Sequence, residues 1–324
     1  MPRLKCSKEE LNLGAVLLSG QSFRWQKLLT NTNENISPLS NEVFVGVAKH
    51  RVWKIWREND DWLGYDVLAK FPKARGSDFD LDIELVPLYK FWAEKDKHFA
   101  DLLENHRVKL EGIRILRQDP LETVFAFICS ANNHIRRITN MVQTLCELYG
   151  ESINVAFPDG IKIFYDFADP KRMADDPVLE TVLRSHGFGY RAPNIAFASK
   201  TLKNDGEQFL KNLSKSTYEY AAEELQKMRG IGAKANCICL MGLNMHSVVP
   251  IDTHTIQITT ENYLKTVPWG KFLQAKHRQQ IVAVWQEKFG PYAGWAQAVL
   301  FTAHLRQTNI RQPVEKRLRK IKKQ

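Results

Sequence analysis

The sequence predicts an α+β protein in which an N-terminal antiparallel β-sheet domain packs on an all-α domain. Three observations carry this prediction. Apolar residues alternate with polar ones in the first third of the chain, the period becomes helical from Gln118 onward, and glycines and prolines divide the helical part into short segments. We expect a sheet domain at 1–115, a helical domain at 116–306 and a basic, disordered tail at 307–324.

The N-terminal segment contains the predicted strands. In NEVFVGV (41–47) three valines are spaced by two, and HRVWKIW (50–56) follows with two tryptophans. Alternation of this kind is typical of paired strands. A further strand is expected at 22–25. From 81 to 103 the apolar residues follow a helical period instead, which predicts one or two helices that begin near Asp80 or Asp82.

The helical domain opens with DPLETVFAFICS, which carries signals for a helix start. Asp119 is a candidate N-cap, a proline stands at the first helical position, and Glu122 at the third. The next helix is expected to begin at Asn132 or Asn133 and to end at Gly150. Short helical pieces divided by prolines should follow, and then the chain bends at the two glycines of SHGFGYRAPN. Further helices are predicted at 217–228, 234–243, 253–264, 277–289 and 292–305.

The stretch MRGIGAKANCICLM (228–241) predicts a helix-hairpin-helix. Gly230 and Gly232 flank one isoleucine between two predicted helices. Backbone N–H groups of such a turn, together with the N-terminus of the second helix, bind a DNA phosphate without reading the base sequence. From this segment alone one alternative stays open, a plain turn in which the glycines only let two helices pack closely.

Lys234 and Asp252 are the candidate catalytic residues. Asp252 follows eighteen residues after the lysine, in VVPIDTH. A lysine amine must be neutral to attack carbon, and both a helix N-terminus and a desolvated cleft disfavour its charged form. A nearby carboxylate can accept the proton and stabilise positive charge at a sugar C1′. The pair therefore suits displacement of a base from deoxyribose and β-elimination through an imine, with a simple ion pair as the alternative.

G-I-G-x-K followed by V-P-x-D-x-H resembles the signature of helix-hairpin-helix DNA glycosylases. Three further segments resemble the 8-oxoguanine DNA glycosylases: LLSGQSFRW (17–25), ILRQDPLETVFAFICSANN (115–133) and GPYAGWAQAVLF (290–301). The resemblance covers residues 11–306. It implies a base-excision repair enzyme that removes 8-oxoguanine opposite cytosine, a DNA N-glycosylase with apurinic-site lyase activity.

The resemblance also implies a pocket for the damaged base. Gly20 matches the glycine whose carbonyl accepts the N7–H that distinguishes 8-oxoguanine from guanine. Gln297 matches the residue that hydrogen-bonds the flipped base, and Phe301 matches the ring that stacks on it. Pro250 and Cys237 are assigned to the same pocket.

Other matched residues would hold the DNA around that base. Asn132 and Arg137 match groups that bind the orphaned cytosine, Tyr190 matches the wedge that fills the vacated stack, and Arg191 matches a second cytosine contact. His254 matches a phosphate contact, as do the two hairpin glycines. An asparagine cap and surface arginines are the structural alternative for this set.

The sequence departs from the family pattern between Lys234 and Cys237, where two residues stand in place of three. If the hairpin keeps its place, Ile238 occupies the position four beyond the lysine, where the family has the cysteine that packs on the base. If the C-I-C-L-M block keeps its place, Ala233 fills the lysine position and the enzyme is impaired. We expect the first arrangement, because the glycines fix the hairpin. A bulge near Ala235 is another way to absorb the difference.

Two rival functions follow from this departure and from the superfamily. One is a helix-hairpin-helix glycosylase for other lesions, which activity on oxidised pyrimidines without activity on 8-oxoguanine would favour. The other is a catalytically silent protein that binds lesion DNA. Specific binding without base release would select it.

Composition is consistent with a DNA partner. The net charge is +10, but seven basic residues and one acid place +6 of it in 307–324. The five cysteines form no C-x-x-C pair, which argues against a disulfide framework, a zinc knuckle or an iron–sulfur cluster. No apolar run approaches the ~18 residues of a membrane span. We expect a monomer that binds double-stranded DNA containing 8-oxoguanine, without cofactor or metal, in the nucleus, with a mitochondrial fraction left open.

Overall fold

A five-stranded antiparallel sheet forms the N-terminal part of the protein. The computed structural model describes residues 2–28, 42–74, 83–265 and 273–304. The strands are β1 (Arg3–Lys5), β2 (Trp25–Leu28), β3 (Val43–Ala48), β4 (Arg51–Arg57) and β5 (Trp62–Lys70), in the spatial order β1-β5-β4-β3-β2. Lys49 and His50 join β3 to β4 with positive φ angles of 49° and 60°. This matches the two-residue turn whose twist suits a hairpin.

β3 and β4, the two strands with the clearest alternation, were predicted. The other three strands of the sheet differ from the prediction. β3 and β4 lie where the valine and tryptophan patterns placed them. β2 begins at Trp25 rather than at residue 22, and the prediction omitted β1 and β5. β1 has only three residues, and much of β5 is half-buried, so neither shows a clear alternation of apolar and polar residues.

The two faces of the sheet bury different partners. On one face, Phe44 and Ile55 pack with the short helix α1 (Leu13–Leu17). On the other face, Val45 and Val52 pack with Phe164 from a second, smaller sheet. β3 is therefore buried on both sides.

That smaller sheet is a hairpin inside the segment predicted to be helical. β6 (Ser152–Phe157) pairs with β7 (Gly160–Tyr165) in antiparallel register. The prediction of short helical pieces here is wrong. The signal that could have identified the hairpin is Pro158-Asp159-Gly160, a turn sequence between two apolar runs, in which Gly160 has a φ of 127°.

The rest of the described chain is helical. The helices are α2 (Leu85–Lys95), α3 (Lys97–Leu110), α4 (Pro120–Cys129), α5 (Ile135–Tyr149), α6 (Pro170–Asp175), α7 (Leu179–Ser185), α8 (Ala192–Leu202), α9 (Gly206–Leu213), α10 (Tyr218–Gln226), α11 (Ala235–Met241), α12 (Thr253–Asn262), α13 (Ala275–Phe289) and α14 (293–304). The helices predicted at 217–228, 234–243, 253–264, 277–289 and 292–305 correspond to α10 to α14 within a few residues. The helical segment predicted at 81–103 contains α2, but α3 continues to Leu110, and α8 and α9 were not predicted.

Helix caps were predicted with mixed success. Asp119 caps α4 as predicted, because its side chain accepts the backbone N–H groups of Leu121 and Glu122. α5 is capped by His134 rather than by either asparagine. α2 is preceded by Glu84. The expected caps at 80 and 82 lie outside the described residues.

The helices form two apolar cores, and a cleft lined by residues of both lies where they meet. One core includes Phe125 and Leu225. The other joins Trp92 and Phe99 from α2 and α3 to Phe289 from α13. This second core contains residues from both sides of residue 115. The predicted domain boundary at residue 115 therefore stays a prediction. The predicted tail at 307–324 lies outside the described residues.

Candidate active site

Two glycines with left-handed backbone shape the connection between α10 and α11. Gly230 has a φ of 86° and Gly232 a φ of 44°, a region that strains any residue with a Cβ atom. Ile231 between them is buried, and its carbonyl accepts the N–H of Lys234 at 2.8 Å. A Cβ atom on Gly230 would lie 2.4 Å from the Asn194 side chain. The predicted helix-hairpin-helix is therefore present, with Gly232 exposed at its tip.

Lys234 ends a short 3-10 turn and faces a cleft. The turn spans Gly232–Lys234, and α11 begins at the next residue. Lys234 is half-buried and lines a cavity of about 240 Å³, whereas Ala233 is exposed and lies outside it. The hairpin thus keeps its place, and the arrangement that would put Ala233 in the lysine position is not formed.

Cys237, not Ile238, takes the position beside the lysine. Cys237 lies three residues after Lys234 and lines the same cavity, whereas Ile238 is fully buried in a helical core. The assignment of Ile238 to the base pocket is therefore corrected. Residues three and four apart both share one side of a helix, so a spacing of three keeps a cysteine at the cavity wall. Desolvation raises the pKa of the Cys237 thiol to about 11, outweighing the opposite effect of Lys234.

Asp252 is the N-cap of α12. Its Oδ1 accepts the backbone N–H of Thr255 at 2.7 Å and the Thr255 hydroxyl at 2.9 Å. These two bonds fix the carboxylate where the helix N-terminus favours negative charge. Among the described residues Lys234 and Asp252 form no ion pair, although both line the cavity. The simple ion pair that the sequence left open is thus not present.

Segments far apart in the sequence meet at this cavity. The predicted residues that line it are Gly20, Lys234, Cys237, Pro250, Asp252, Gln297 and Phe301. The prediction omitted other lining residues, which are Ser19, Gln21, Phe23, Phe127, Ser130, Asn133, Ile135, Ile138, Met241, Ala298 and Thr302. Six of these eleven residues are apolar, and five of those six lie on helices, where a single apolar residue carries no signal that separates a cavity wall from a core.

One close backbone approach brings the two walls of the cleft together. A Cβ atom on Gly294 would lie 2.0 Å from the carbonyl oxygen of Val248. The N–H of Gly294 also donates to the carbonyl of His246 at 2.9 Å. Glycine therefore lets α14, which carries Gln297 and Phe301, lie against the loop that leads to Asp252.

Gly20 and Gln297 are held from two sides of the cavity. Gly20 has a φ of 87°, and a Cβ atom there would lie 3.1 Å from the Ile135 side chain. Gln297 is buried, and its amide donates to the Thr255 hydroxyl at 2.9 Å. Thr255 therefore contacts both Asp252 and Gln297. Thr255 was not predicted from the sequence, although its place three residues after an N-cap aspartate is a recognisable capping position.

His254 packs against the ring predicted to stack on the base. Its ring centroid lies 5.3 Å from that of Phe301 and 5.2 Å from that of His304, both in edge-to-face geometry. Nδ1 of His254 is buried and has no hydrogen-bond partner among the described residues. The side chain thus contacts the base pocket, and its role as a phosphate contact stays a prediction.

The residues predicted to hold the opposite strand form a second group. The Tyr190 hydroxyl donates to the carbonyl of Ala131 at 2.8 Å, and the ring is 53% exposed, as a wedge requires. Arg137 is exposed and donates to the carbonyl of Gly187 at 2.9 Å. Asn132 is also exposed and has a φ of 45°, a left-handed conformation that asparagine tolerates better than most residues.

Arg191 is buried, unlike the surface arginine of the structural alternative. It is 3% exposed, and its guanidinium donates to the carbonyls of Ala131 and Asn132 while lying 4.5 Å from the centroid of the Tyr190 ring. In this conformation Arg191 supports the loop at 131–132 rather than presenting itself to a partner. The role of Arg191 as a second cytosine contact stays a prediction.

The described parts of the chain show neither a metal cluster nor a disulfide. There, no group of three or more His, Cys, Asp or Glu side chains has an arrangement that could hold a metal ion. All five cysteines are free thiols. Within 2–28, 42–74, 83–265 and 273–304, the helices are all too short or too polar to cross a membrane.

Comparison with known proteins places these features in context. A family model for the N-terminal domain of 8-oxoguanine DNA glycosylases matches residues 3–124. The N-glycosylase/DNA lyase OGG1 of Arabidopsis thaliana is 35% identical over 312 residues, which cover 93% of this chain and 80% of that protein. The N-glycosylase/DNA lyase of Saccharomyces cerevisiae is 31% identical over 340 residues, covering 94% of this chain and 86% of that protein.

A solved structure shares the architecture. The 8-oxoguanine glycosylase/lyase of Clostridium acetobutylicum, in complex with double-stranded DNA containing cytosine opposite 8-oxoguanine, has a TM-score of 0.73 and 26% sequence identity. The match covers 93% of each chain. The pairing of an N-terminal sheet with a helical body is therefore common to both proteins.

Proposed function

The chain belongs to the N-glycosylase/DNA lyase family of 8-oxoguanine DNA glycosylases, and on that premise we propose that Lys234 and Asp252 carry out its chemistry. The family resemblance found in the sequence is confirmed. The enzyme acts in base-excision repair, removing 8-oxoguanine from DNA and cleaving the strand at the abasic site.

In the proposed mechanism the neutral amine of Lys234 attacks C1′ of the damaged nucleotide. The Nζ–C1′ bond forms as the bond from C1′ to the base nitrogen breaks, and the base leaves with the electron pair of that bond. Asp252 stabilises the positive charge that develops at C1′ and accepts the proton that the amine loses. Opening of the sugar then gives an imine, whose formation acidifies the C2′ proton and permits β-elimination of the 3′ phosphate.

The extruded base would occupy the cavity between Gly20 and Phe301. The left-handed backbone of Gly20 supports the proposed contact of its carbonyl with N7–H, because glycine adopts this conformation without strain. Gln297 would contact the base, and Cys237 would pack beside it as a neutral thiol. We propose that the substrate is a duplex with 8-oxoguanine opposite cytosine.

One observation carries the proposal for the lysine. Lys234 and Asp252 come from different elements and line one cavity, yet they form no ion pair among the described residues. An ion pair with Asp252 would favour the protonated form of the lysine, which has no lone pair with which to attack carbon. Separation across a cleft large enough for a nucleobase favours reaction with a substrate placed between them.

Borohydride trapping on an 8-oxoguanine:cytosine duplex tests this assignment. We expect the wild-type protein to form a covalent complex with DNA and Lys234→Gln to form none, because the imine needs the lysine nitrogen. Lys227→Gln is the matched control, because Lys227 is an exposed lysine at the C-terminal end of α10. This variant should form the covalent complex with DNA as the wild-type protein does. Undiminished trapping by Lys234→Gln would disprove the assignment.

A gel assay of base release, which also includes a duplex with an oxidised pyrimidine, separates the rival functions. Each of the four bases is placed opposite 8-oxoguanine, and products are read on gels with and without alkali, which distinguishes base release from strand cleavage. Release that is fastest opposite cytosine supports the proposed substrate. Binding without release would identify a silent lesion-binding protein, and release of oxidised pyrimidines alone would identify a glycosylase for other lesions.

We further propose that the enzyme is monomeric and nuclear. The seven basic residues of 307–324, which lie outside the described residues, would suit nuclear import or an added contact with DNA phosphates. Imaging of the full chain beside a chain truncated after residue 306 tests the location, and light scattering tests the oligomeric state.

A further inference from the structure

Asn236 lies in the two-residue link that makes this hairpin shorter than the family pattern. It is the second residue of α11, two positions after Lys234 and one before Cys237. Two residues turn an α-helix by about 200°. The side chain therefore points away from the cleft that the lysine faces, and Asn236 is not among the residues that line the cavity.

The Asn236 amide joins three segments around the cleft. Its Oδ1 accepts the hydroxyl of Tyr218 at 3.1 Å, which ties α11 to α10. Its Nδ2 donates to the carbonyl of Val249 at 3.4 Å. All three residues are buried or half-buried, so water competes poorly for these bonds.

The contact with Val249 links the lysine to the aspartate. Val249 directly precedes Pro250, which lines the cavity, and stands three residues before Asp252. Asn236 stands two residues after Lys234 on a rigid helix. One amide side chain thus connects the backbone that carries the proposed nucleophile to the backbone that carries the proposed carboxylate.

The position of Lys234 needs such a restraint. The lysine stands where a 3-10 turn meets a seven-residue helix, and the turn begins at a glycine with left-handed backbone. A short helix after a glycine hinge has few intrahelical bonds of its own to set its angle. The two hydrogen bonds of Asn236 restrain the start of α11 from the side. Because the link is one residue shorter, Asn236 lies directly behind Lys234.

We propose that Asn236 is a positioning residue that fixes Lys234 relative to Asp252, a role that rests on the proposed chemistry of the lysine. Its two hydrogen bonds let a hairpin with the shortened link still direct the amine at C1′. Tyr218 and the carbonyl of Val249 are its two anchors.

Single-turnover excision of 8-oxoguanine from a cytosine-paired duplex tests the role of Asn236. The variants are Asn236→Ala, which loses both bonds, Asn236→Asp, which keeps only the acceptor, and Tyr218→Phe, which removes one hydroxyl. Asn212→Ala is the matched control, because Asn212 is an exposed helical asparagine whose side chain, among the described residues, bonds only to Gln208. Affinity is measured separately on a duplex with a non-cleavable abasic analogue.

We expect Asn236→Ala to slow excision and borohydride trapping together by about 10- to 100-fold, the loss that a misplacement of about 1 Å produces. Its affinity for the abasic duplex should equal that of the wild-type protein. Asn236→Asp and Tyr218→Phe should lose less. Adding Tyr218→Phe to Asn236→Ala should cause no further loss, since the bond between them is already absent.

Three outcomes would overturn the inference. They are an unchanged excision rate in Asn236→Ala, a loss of rate matched by an equal loss of affinity, and additive losses in the double variant. If Asn236→Ala does not fold, Tyr218→Phe still tests the restraint with its own rate and affinity. Lys234→Gln in the same series keeps the two proposals apart, because trapping that survives this variant rejects the lysine mechanism itself.

Discussion

Two groups of charged side chains lie at opposite ends of α4. The members of one group form ion pairs with each other, and those of the other group do not. At the N-terminal end, Nη1 of Arg24 lies 3.3 Å from Oε2 of Glu122, and the guanidinium also donates to the carbonyl of Tyr165. Nδ1 of His50 lies 2.7 Å from Oδ2 of Asp166. We call these two ion pairs the junction cluster, because they join the N-terminal sheet to the helical body.

At the C-terminal end of α4 the charges of the cleft are not paired with each other. Phe127 and Ser130 line the cavity there, together with Lys234 and Asp252. Among the described residues, the Asp252 carboxylate accepts hydrogen bonds from Thr255 alone, and Lys234 lines the cavity.

The difference separates structural charges from reactive ones. A buried ion pair removes the reactivity of both partners, and its loss leaves an uncompensated charge in the interior. A charge that stays unpaired in a cleft contributes little to stability but remains available to a substrate. Substitutions in the junction cluster should therefore change stability, whereas substitutions in the cleft should change chemistry.

The largest effect is expected for Asp252→Asn. Asparagine caps a helix about as well as aspartate, so the melting temperature should change little. Without the carboxylate, single-turnover excision should fall by about 1,000-fold, within the range of acid–base contributions. Asp169→Asn, at the N-cap of α6 outside the cleft, is the control and should keep full activity. A large fall in melting temperature with little loss of rate would contradict the comparison.

A smaller but still large effect is expected for Arg24→Met. It leaves the largely buried Glu122 carboxyl without its cation, which should lower the free energy of unfolding by about 3 kcal/mol. Burial already raises the pKa of Glu122 to about 7 despite the opposing effect of Arg24. The loss should therefore be greater at pH 8, where the carboxyl is charged, than at pH 6.

Urea unfolding measures this effect, and two variants control it. Arg184→Met breaks an exposed pair with Glu180 and should cost less than about 0.5 kcal/mol. Combining Arg24→Met with Glu122→Gln should recover part of the loss, because the buried charge is then gone. Equal losses for Arg24→Met and Arg184→Met would refute the structural role of the junction cluster.

The smallest effect is expected for His50 and depends on pH. The hydrogen bond to Asp166 raises the pKa of His50 against the effect of burial, and nearby Asp119 and Lys73 act in opposite directions. A folded-state pKa above the unfolded value means that the stabilisation is complete below about pH 6.5. It is lost as the pH rises through the folded-state pKa.

His50→Gln should therefore destabilise the protein by about 1 kcal/mol at pH 5.5 and by much less at pH 9. Thermal melts of the two proteins at both pH values measure the difference. His186→Gln, at an exposed histidine, is the control. A difference that is the same at both pH values would show that the pair with Asp166 is not the source.

Much of the fold was predictable because its signals are local. Asp119 followed by a proline and Glu122 is typical of a helix start, and Asp119 caps α4 as predicted. The valines spaced by two likewise predict β3, and the two glycines of the helix-hairpin-helix predict the left-handed backbone found there. The β6–β7 hairpin was missed because helix-like spacing outweighed the turn signal at 158–160, and its packing partners lie about a hundred residues earlier.

The sequence by itself determined the family and the helix-hairpin-helix, and it predicted Lys234 and Asp252 as the catalytic pair, because motifs and glycine conformations are properties of short segments. Only the tertiary structure decided that Cys237 and not Ile238 reaches the cavity, that Arg191 is buried against carbonyls, and that Asn236 bridges two backbones. The reason is physical. The direction of a side chain after a one-residue shortening depends on the 3-10 turn before it and on contacts with residues distant in sequence.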